Sequence, residues 1–229
     1  NMKALFFDAG PVITLVMSRL SWILPHLKQK YGAPFYLTPA VKYELVDRPL
    51  SIKRFEFEAL QVMKLIRDGV FEIYDKVPQQ QVKSLQTLAN STFKIGRKSM
   101  DIIQAGEMEA VACVLQNPGS AIVMDERTLR LLIESGKDLT SLLSRRFHKE
   151  VISDMQKIKD FQLQTKGVSI IRSVELVGVA YKLGLLDGYI PKLRKGKEKL
   201  VDSVLWATKY NGCALTGHEI EELKKTLLL

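Results

Sequence analysis

Acidic residues stand at unusual places along this 229-residue chain. Asp8 ends the apolar run KALFFD, and Asp125 ends the similar run SAIVMD, so each is expected to follow a buried strand of a parallel sheet. Ligands of such sheets collect outside the carboxyl ends of the strands, and the fold would bring both aspartates to that crevice. A single aspartate there is explained equally well as a helix N-cap, but two at equivalent places favour a shared site.

Three glutamates could join these aspartates. Glu107 and Glu109 stand at the mouth of an apolar helix in the stretch IQAGEMEAVACVL, where the helix dipole accounts for one acid but not for both. Residues two apart in a helix point about 200° apart, so both can face one crevice only if Glu107 sits at the helix mouth. This narrowly favours Glu107. Glu44 lies about a turn and a half inside the helix capped by Thr38, where it could also simply face solvent.

Carboxylates clustered at one crevice would repel one another strongly unless cations lay between them. Because the candidate residues offer oxygen without nearby His or Cys, the hard cations Mg²⁺ and Mn²⁺ are the expected ligands. The chain has no defensible Ser–His–Asp arrangement, no P-loop and no dinucleotide fingerprint. Metal-assisted phosphodiester cleavage therefore fits these residues best.

The elements that must position the acids alternate between strand and helix. Apolar runs at residues 3–8, 35–37 and 120–125 and the alternating stretch VFEIYD are expected strands, with helical patterns between them. Residues 137–164 are polar and helical in pattern, without a predicted strand, and GVSII is the expected edge strand. The order predicts an α/β fold in which helices flank a mainly parallel sheet.

The charge of the chain favours an anionic partner. Its 34 Lys and Arg residues against 25 Asp and Glu residues give a formal charge of +9, which favours nucleic acid first and a membrane surface second. Two basic groups could contact RNA phosphates, although a solvated surface explains either equally well: Arg145, Arg146 and Lys149, and Lys192, Arg194, Lys195 and Lys197. The two cysteines support neither a disulfide framework nor a zinc site. No membrane span or signal peptide is expected, and a cytoplasmic location follows as the default.

Four stretches resemble a known family. LFFDAGPVITL, LTPAVKYEL, AGEMEAVACVL and IVMDERTLRLL occur in the order and approximate spacing of the PIN-domain ribonucleases, most like the archaeal and bacterial branch with GExEA and D-D/E-R motifs. The resemblance covers about residues 3–136 and resumes near Val168. It implies a parallel sheet flanked by helices and a pocket for one or two Mg²⁺ or Mn²⁺ ions. By position it makes metal ligands of Asp8, Glu44, Glu107 and Asp125, with Glu109 and Glu126 as neighbours that share or replace these roles.

The chain departs from that family at two places. Gly10 stands where many members have Ser or Thr, and residues 137–166 look like a helical insertion. We expect a PIN-like domain over residues 1–188, with residues 189–229 as a basic C-terminal helical extension of the same domain.

The predicted function is a metal-dependent endoribonuclease. The alternative is a catalytically weak PIN-like module for RNA binding or assembly. RNA is the expected partner, with an antitoxin or a ribonucleoprotein subunit as protein partner, and the apolar helices are compatible with a homodimer. A phosphatase with Asp8 as nucleophile is disfavoured, because a second aspartate two residues later is missing.

Overall fold

The computed structural model describes residues 3–136 and 138–229. Its strands are β1 (Leu5–Phe7), β2 (Phe35–Leu37), β3 (Glu72–Ile73), β4 (Phe93–Ile95), β5 (Lys98–Ser99), β6 (Ala121–Val123), β7 (Ile152–Ser153) and β8 (Ser169–Ile171). Its α-helices are α1 (Ala9–Met17), α2 (Ile23–Tyr31), α3 (Pro39–Lys42), α4 (Arg48–Leu50), α5 (Glu56–Arg67), α6 (Gln79–Ala89), α7 (Ala105–Gln116), α8 (Arg127–Glu134), α9 (Leu139–Phe147), α10 (Met155–Gln164), α11 (Ser173–Lys182), α12 (Gly196–Tyr210) and α13 (Gly217–Leu227).

The central sheet has five parallel strands in the order β3–β2–β1–β6–β8. This confirms the prediction of an α/β fold with a mainly parallel sheet, and β8 lies at the edge as expected from GVSII. Strands β1 and β6 occupy the middle of the sheet, and all of their residues are buried. The acidic residues that follow these two strands therefore emerge near the centre of the sheet.

Hydrophobic side chains on the two faces of β1 enter separate parts of the core. Leu5 and Phe7 pack into the cluster formed with α1, α2 and α11, whereas Phe6 packs into the cluster formed with α6, α7 and α8. This is the alternation of side chains along a strand, and helices must cover both faces because both are apolar. No helix in the described part of the chain is long and apolar enough to cross a membrane.

The chain after β1 forms two helices, α1 and α2, with an interruption between them. Helix α1 ends at Met17, and Arg19 adopts a left-handed conformation with φ of 58° before α2 begins at Ile23. Pro25 lies in the first turn of α2, where a missing N–H breaks no helical hydrogen bond. The interruption therefore lies at residues 18–22, and proline is not its cause.

A second, three-stranded sheet was not predicted. Strand β4 pairs antiparallel with both β5 and β7, in the order β5–β4–β7. The expectation that residues 137–164 contain no strand is therefore wrong, because β7 lies between α9 and α10; Lys137 itself lies outside the described residues. Strands of two residues are too short to show alternation, and β7 pairs with a strand far away in the sequence.

The last three helices form a small cluster of their own. Helix α11 ends at Lys182, before Gly184 with its φ of 76°. Helices α12 and α13 pack against it through buried side chains such as Val201 and Ile220. Helix α13 begins with a capping box of Thr216 and Glu219. The basic C-terminal segment is thus tied to the sheet domain through α11.

Candidate functional site

Asp8 and Asp125 follow the neighbouring strands β1 and β6, and both are buried. The Asp8 backbone N–H donates to the carbonyl oxygen of Val123 over 2.9 Å, which continues the pairing of the two strands. A Cβ atom added to Gly10 would lie 3.7 Å from Asp8 Oδ2 and 3.9 Å from Asp125 Cβ. The two aspartates therefore border the same small space at the carboxyl end of the sheet.

Hydrogen bonds from Thr14 and Ser173 hold the Asp125 carboxylate in place. The Thr14 hydroxyl donates to Oδ2 over 2.8 Å, while the Ser173 hydroxyl and backbone N–H donate to Oδ2 and Oδ1, each over 2.7 Å. Sequence reasoning missed both partners. Ser173 could have been found because it follows β8, the strand next to β6. Thr14 lies one helical turn after Gly10, so α1 supplies a hydroxyl to this crevice even though position 10 lacks one.

Glu44 reaches the crevice from another direction. It lies in the π-helical turn Tyr43–Asp47 that continues α3, and its carboxylate packs against Gly106 at the start of α7. A Cβ atom at position 106 would come within 2.9 Å of Glu44 Oε1 and 3.4 Å of Val41 Cγ2. The first of these distances is too short for a non-bonded contact. The glycine of the GEMEA stretch therefore leaves room for the Glu44 carboxylate.

Glu107 and Glu109 are both buried, each with about 8% of its surface exposed. Glu107 is the third residue of α7, and its Oε2 accepts a hydrogen bond of 2.8 Å from the backbone N–H of Gln104 in a capping box. Glu109 Oε2 accepts a hydrogen bond of 3.1 Å from the backbone N–H of Ala40 in the first turn of α3. Glu109 thus joins α7 to α3, whereas Glu107 stands at the mouth of its helix.

Burial and mutual repulsion alter the titration of these carboxyl groups. Burial raises the pKa of Asp8 to about 6, and the charges of Glu44 and Asp125 add to this effect, while the nearby N–H groups of Ala9 and Gly10 partly oppose it.

The same causes act more strongly on Glu107. Burial raises its pKa to about 8, with additional repulsion from Asp8, Glu126 and Glu44, partly offset by its hydrogen bond from the Gln104 N–H. Burial also raises the pKa of Glu44. Acids from four separate stretches of the chain therefore form one electrostatic cluster, which we call the acidic cluster: Asp8, Glu44, Glu107 and Asp125.

A polar cavity of about 220 Å³ opens beside this cluster, lined in part by Glu107, Glu126 and Arg146. Glu126 caps α8 by accepting a hydrogen bond of 3.0 Å from the Leu129 N–H, and its other oxygen lies 3.9 Å from an Arg146 guanidinium nitrogen. Arg146 also donates to the Thr128 hydroxyl over 3.5 Å. Helix α9 of the predicted insertion thus brings a positive charge to the edge of the acidic cluster.

The other predicted RNA-contacting residues lie on exposed surface: Arg145, Lys149, Lys192, Arg194, Lys195 and Lys197. Lys195 forms an ion pair with Glu198 over 3.4 Å. Among the described residues of the two predicted basic groups, Arg146 is the one that contacts an acid of the cavity. The role of the others stays a prediction.

The donor chemistry of the acidic cluster fits a hard divalent cation. All of its donors are carboxylate oxygens, and burial, together with repulsion from neighbouring acids, raises the pKa values of Asp8 and Glu107. Within residues 3–136 and 138–229, however, no three His, Cys, Asp or Glu side chains are arranged to hold a metal ion as they stand. Glu107 and Asp125 accept hydrogen bonds from protein groups, and an ion would have to compete with those donors.

The fold and the site together define an α/β protein with an acidic crevice at the carboxyl ends of its central parallel strands. No family model, no curated protein and no solved structure matches this chain.

Proposed function

We propose that this protein is a PIN-like, metal-dependent endoribonuclease that hydrolyses phosphodiester bonds in RNA. The observation that carries the proposal is the convergence of the acidic cluster at the ends of β1 and β6, with burial and like charge raising the pKa of Asp8 to about 6. Holding several carboxylates in one buried place is unfavourable for a protein without a ligand. A bound cation would compensate for this cost.

In this proposal Asp8, Glu44 and Glu107 hold the ion. When bound, Mg²⁺ or Mn²⁺ would lower the pKa of a water molecule and stabilise negative charge on the phosphate. Asp8 is well placed for this task because it extends a rigid central strand and must be ionised to bind a cation. Asp125 already accepts hydrogen bonds from Thr14 and Ser173, so it contributes mainly negative charge and fixes the position of α11 relative to β6.

RNA binding is supported by charge. A protein with a formal charge of +9 attracts a polyanion from a distance, while the acidic cluster remains locally negative. Arg146 lies at the edge of the acidic cluster, beside Glu126 and the polar cavity. We assign it the task of holding a phosphate next to the one that is cleaved. Contacts of this kind fix the position of the strand without reading its sequence.

The second candidate is a PIN-like module that binds RNA with little catalysis. It is favoured by the fact that two carboxylates of the acidic cluster are already hydrogen-bonded to the protein: Glu107 within a capping box and Asp125 to Thr14 and Ser173. In this alternative the acids are structural, and divalent ions should bind weakly or not at all. The antitoxin or ribonucleoprotein partner, the homodimer and the cytoplasmic location stay predictions from the sequence.

The two candidates differ in a cleavage experiment. A mixed RNA pool is incubated with wild type, Asp8→Asn and Asp75→Asn, each with Mn²⁺, Mg²⁺ or EDTA; Asp75 is exposed and lies outside the acidic cluster, so its variant carries the same charge change without touching the site. We expect cutting by wild type and Asp75→Asn with either metal, and none with EDTA or with Asp8→Asn. Folded wild type that never cuts but shifts RNA in a gel would favour the binding module. Equal cutting by all three proteins would refute the assigned site.

A further inference from the structure

The turn between α12 and α13 packs against the acidic cluster from the side of the C-terminal helices. We call its residues 211–215 the C-terminal loop. The backbone N–H of Ala214 in this loop donates to the carbonyl oxygen of Asp125 over 3.4 Å. The side-chain amide of Asn211 donates to the Ser18 hydroxyl, at the end of α1, over 3.1 Å. The C-terminal loop therefore contacts both α1 and the residue that follows β6.

The thiol of Cys213 lies close to the Asp125 carboxylate. Cys213 is 2% exposed and belongs to the apolar cluster of the last three helices. Burial raises the pKa of this thiol to about 12, and the negative charge of Asp125 adds to the effect. The thiol therefore keeps its proton at neutral pH, so it can act as a weak hydrogen-bond donor toward Asp125. The C-terminal loop thus contacts Asp125 through a side chain as well as through the backbone.

Gly212 brings the backbone of the loop against Thr14 of α1. Its φ of 139° is one that favours glycine, and a Cβ atom at this position would lie 2.8 Å from Thr14 Oγ1. Thr14 is 1% exposed, and its Oγ1 lies 3.0 Å from the Gly10 carbonyl oxygen and 2.8 Å from Asp125 Oδ2. A change of rotamer would break both of these contacts. A side chain at position 212 would therefore displace α1 itself.

We propose that Gly212 is a positioning residue for the acidic cluster, because it lets the C-terminal loop close against Thr14 and hold α1 beside Asp125. Helix α1 begins directly after Asp8, so a displaced α1 would move the Asp8 carboxylate away from the carboxylates that other elements contribute. The inference rests on the proposed function in that the acidic cluster holds a divalent ion. It adds that the C-terminal helices are needed for the geometry of that site.

The test measures ion binding in the absence of RNA. Calorimetric titrations with MnCl₂ compare wild type, Gly212→Ala and the control Gly167→Ala. Gly167 is also exposed and has a φ of 88°, but an added Cβ atom would meet no described residue within 4 Å. Both variants therefore strain the backbone, and only Gly212→Ala presses on α1. We expect Gly212→Ala to bind Mn²⁺ about tenfold more weakly and Gly167→Ala to stay within about twofold of wild type, since residues that support metal ligands act on this scale.

The variant Thr14→Ala shows where the effect arises. Removing Oγ1 makes room for a side chain at position 212, because the Thr14 Cβ atom lies 4.0 Å from the added Cβ atom. Adding Gly212→Ala to Thr14→Ala should therefore change the Mn²⁺ affinity by less than about threefold, although each single variant weakens it. An undiminished loss in the double variant would overturn the inference. Mn²⁺ binding by Gly212→Ala that is as tight as that by Gly167→Ala would also overturn it.

A milder variant protects the test against a folding defect. Asn211→Ala removes the hydrogen bond to Ser18 and leaves the backbone of the loop unchanged. It should weaken Mn²⁺ binding roughly threefold, since a neutral hydrogen bond contributes on this scale. If Gly212→Ala does not fold, an Asn211→Ala protein that binds Mn²⁺ as tightly as wild type would overturn the inference.

RNA cleavage by the same variants separates this inference from the proposed function. If Gly212→Ala cuts RNA and binds Mn²⁺ as wild type does, the nuclease stands and the positioning role of Gly212 is overturned. If Mn²⁺ binding depends on Gly212 in a protein that cuts no RNA, the positioning role stands and the nuclease is overturned. Wild type that binds no Mn²⁺ would overturn both.

Discussion

Replacing Asp8 with asparagine should make the metal-free protein more stable at neutral and alkaline pH. The carboxyl group is buried beside other acids, and its pKa of about 6 in the folded protein compares with 3.8 for an ordinary aspartate. Asparagine is nearly isosteric, is as good an N-cap as aspartate, and cannot ionise. The substitution therefore removes a buried charge while it preserves the start of α1.

The size of the effect follows from proton linkage. A carboxyl group with a raised pKa supports the folded state fully below pH 3.8 and loses that contribution as the pH rises through about 6. The change from 3.8 to about 6 corresponds to about 3 kcal/mol. We expect Asp8→Asn to exceed wild type by up to that amount above pH 7, a rise in Tm of roughly 6 to 12 °C for a domain of this size. Below pH 4 the two proteins should be nearly equal.

The assay is urea denaturation and calorimetry at pH 4 and pH 7.5 in EDTA, with Asp75→Asn as the charge-matched control. The reasoning would be refuted if Asp8→Asn were less stable than wild type at pH 7.5. It would also be refuted if the variant exceeded wild type by the same free energy of unfolding at pH 4 and pH 7.5. Addition of Mn²⁺ should remove most of this difference. At a concentration a hundred times its Kd, an ion that binds only the folded wild type adds about 2.7 kcal/mol of stability.

Four further changes probe other parts of the site. Gly106→Ala should fold normally but displace the Glu44 carboxylate, lowering RNA cleavage roughly 100-fold in single-turnover assays. Glu107→Gln should leave stability unchanged at pH 4 and raise it by up to about 5 kcal/mol at pH 9.5, because a pKa raised from 4.5 to about 8 costs the folded state only once the group ionises; a pH-independent effect in urea titrations would contradict this. Asp125→Ala should destabilise by about 2 kcal/mol or more at every pH, since it strands the Ser173 N–H and hydroxyl, whereas the Thr14 hydroxyl keeps the Gly10 carbonyl oxygen as an acceptor; a loss below 1 kcal/mol would show the Ser173 donors re-paired. Arg146→Ala should weaken single-stranded RNA binding in fluorescence titrations and reduce its salt slope by about 0.7; an unchanged slope would remove Arg146 from the phosphate path.

Local patterns in the sequence were sufficient to predict the strands and helix starts that surround the site. The apolar runs before Asp8 and Asp125 are the central strands β1 and β6, and Thr38 and Thr216 begin helices as their side chains predict. Such features depend on neighbours within a few residues, so they can be read from the chain alone. The parallel order of the strands then places the two aspartates at the same end of the sheet, and this much of the crevice was predictable.

The remaining features of the site were decided by tertiary contacts. The partners of Asp125 lie 111 and 48 residues away in the chain, and the short strand β7 exists only because β4 lies beside it. Glycine is required at position 106 because the packing of α3 against α7 places the Glu44 carboxylate where a Cβ atom would otherwise lie. The pKa values of Asp8 and Glu107 likewise depend on burial and on charges from distant segments, which no local pattern encodes.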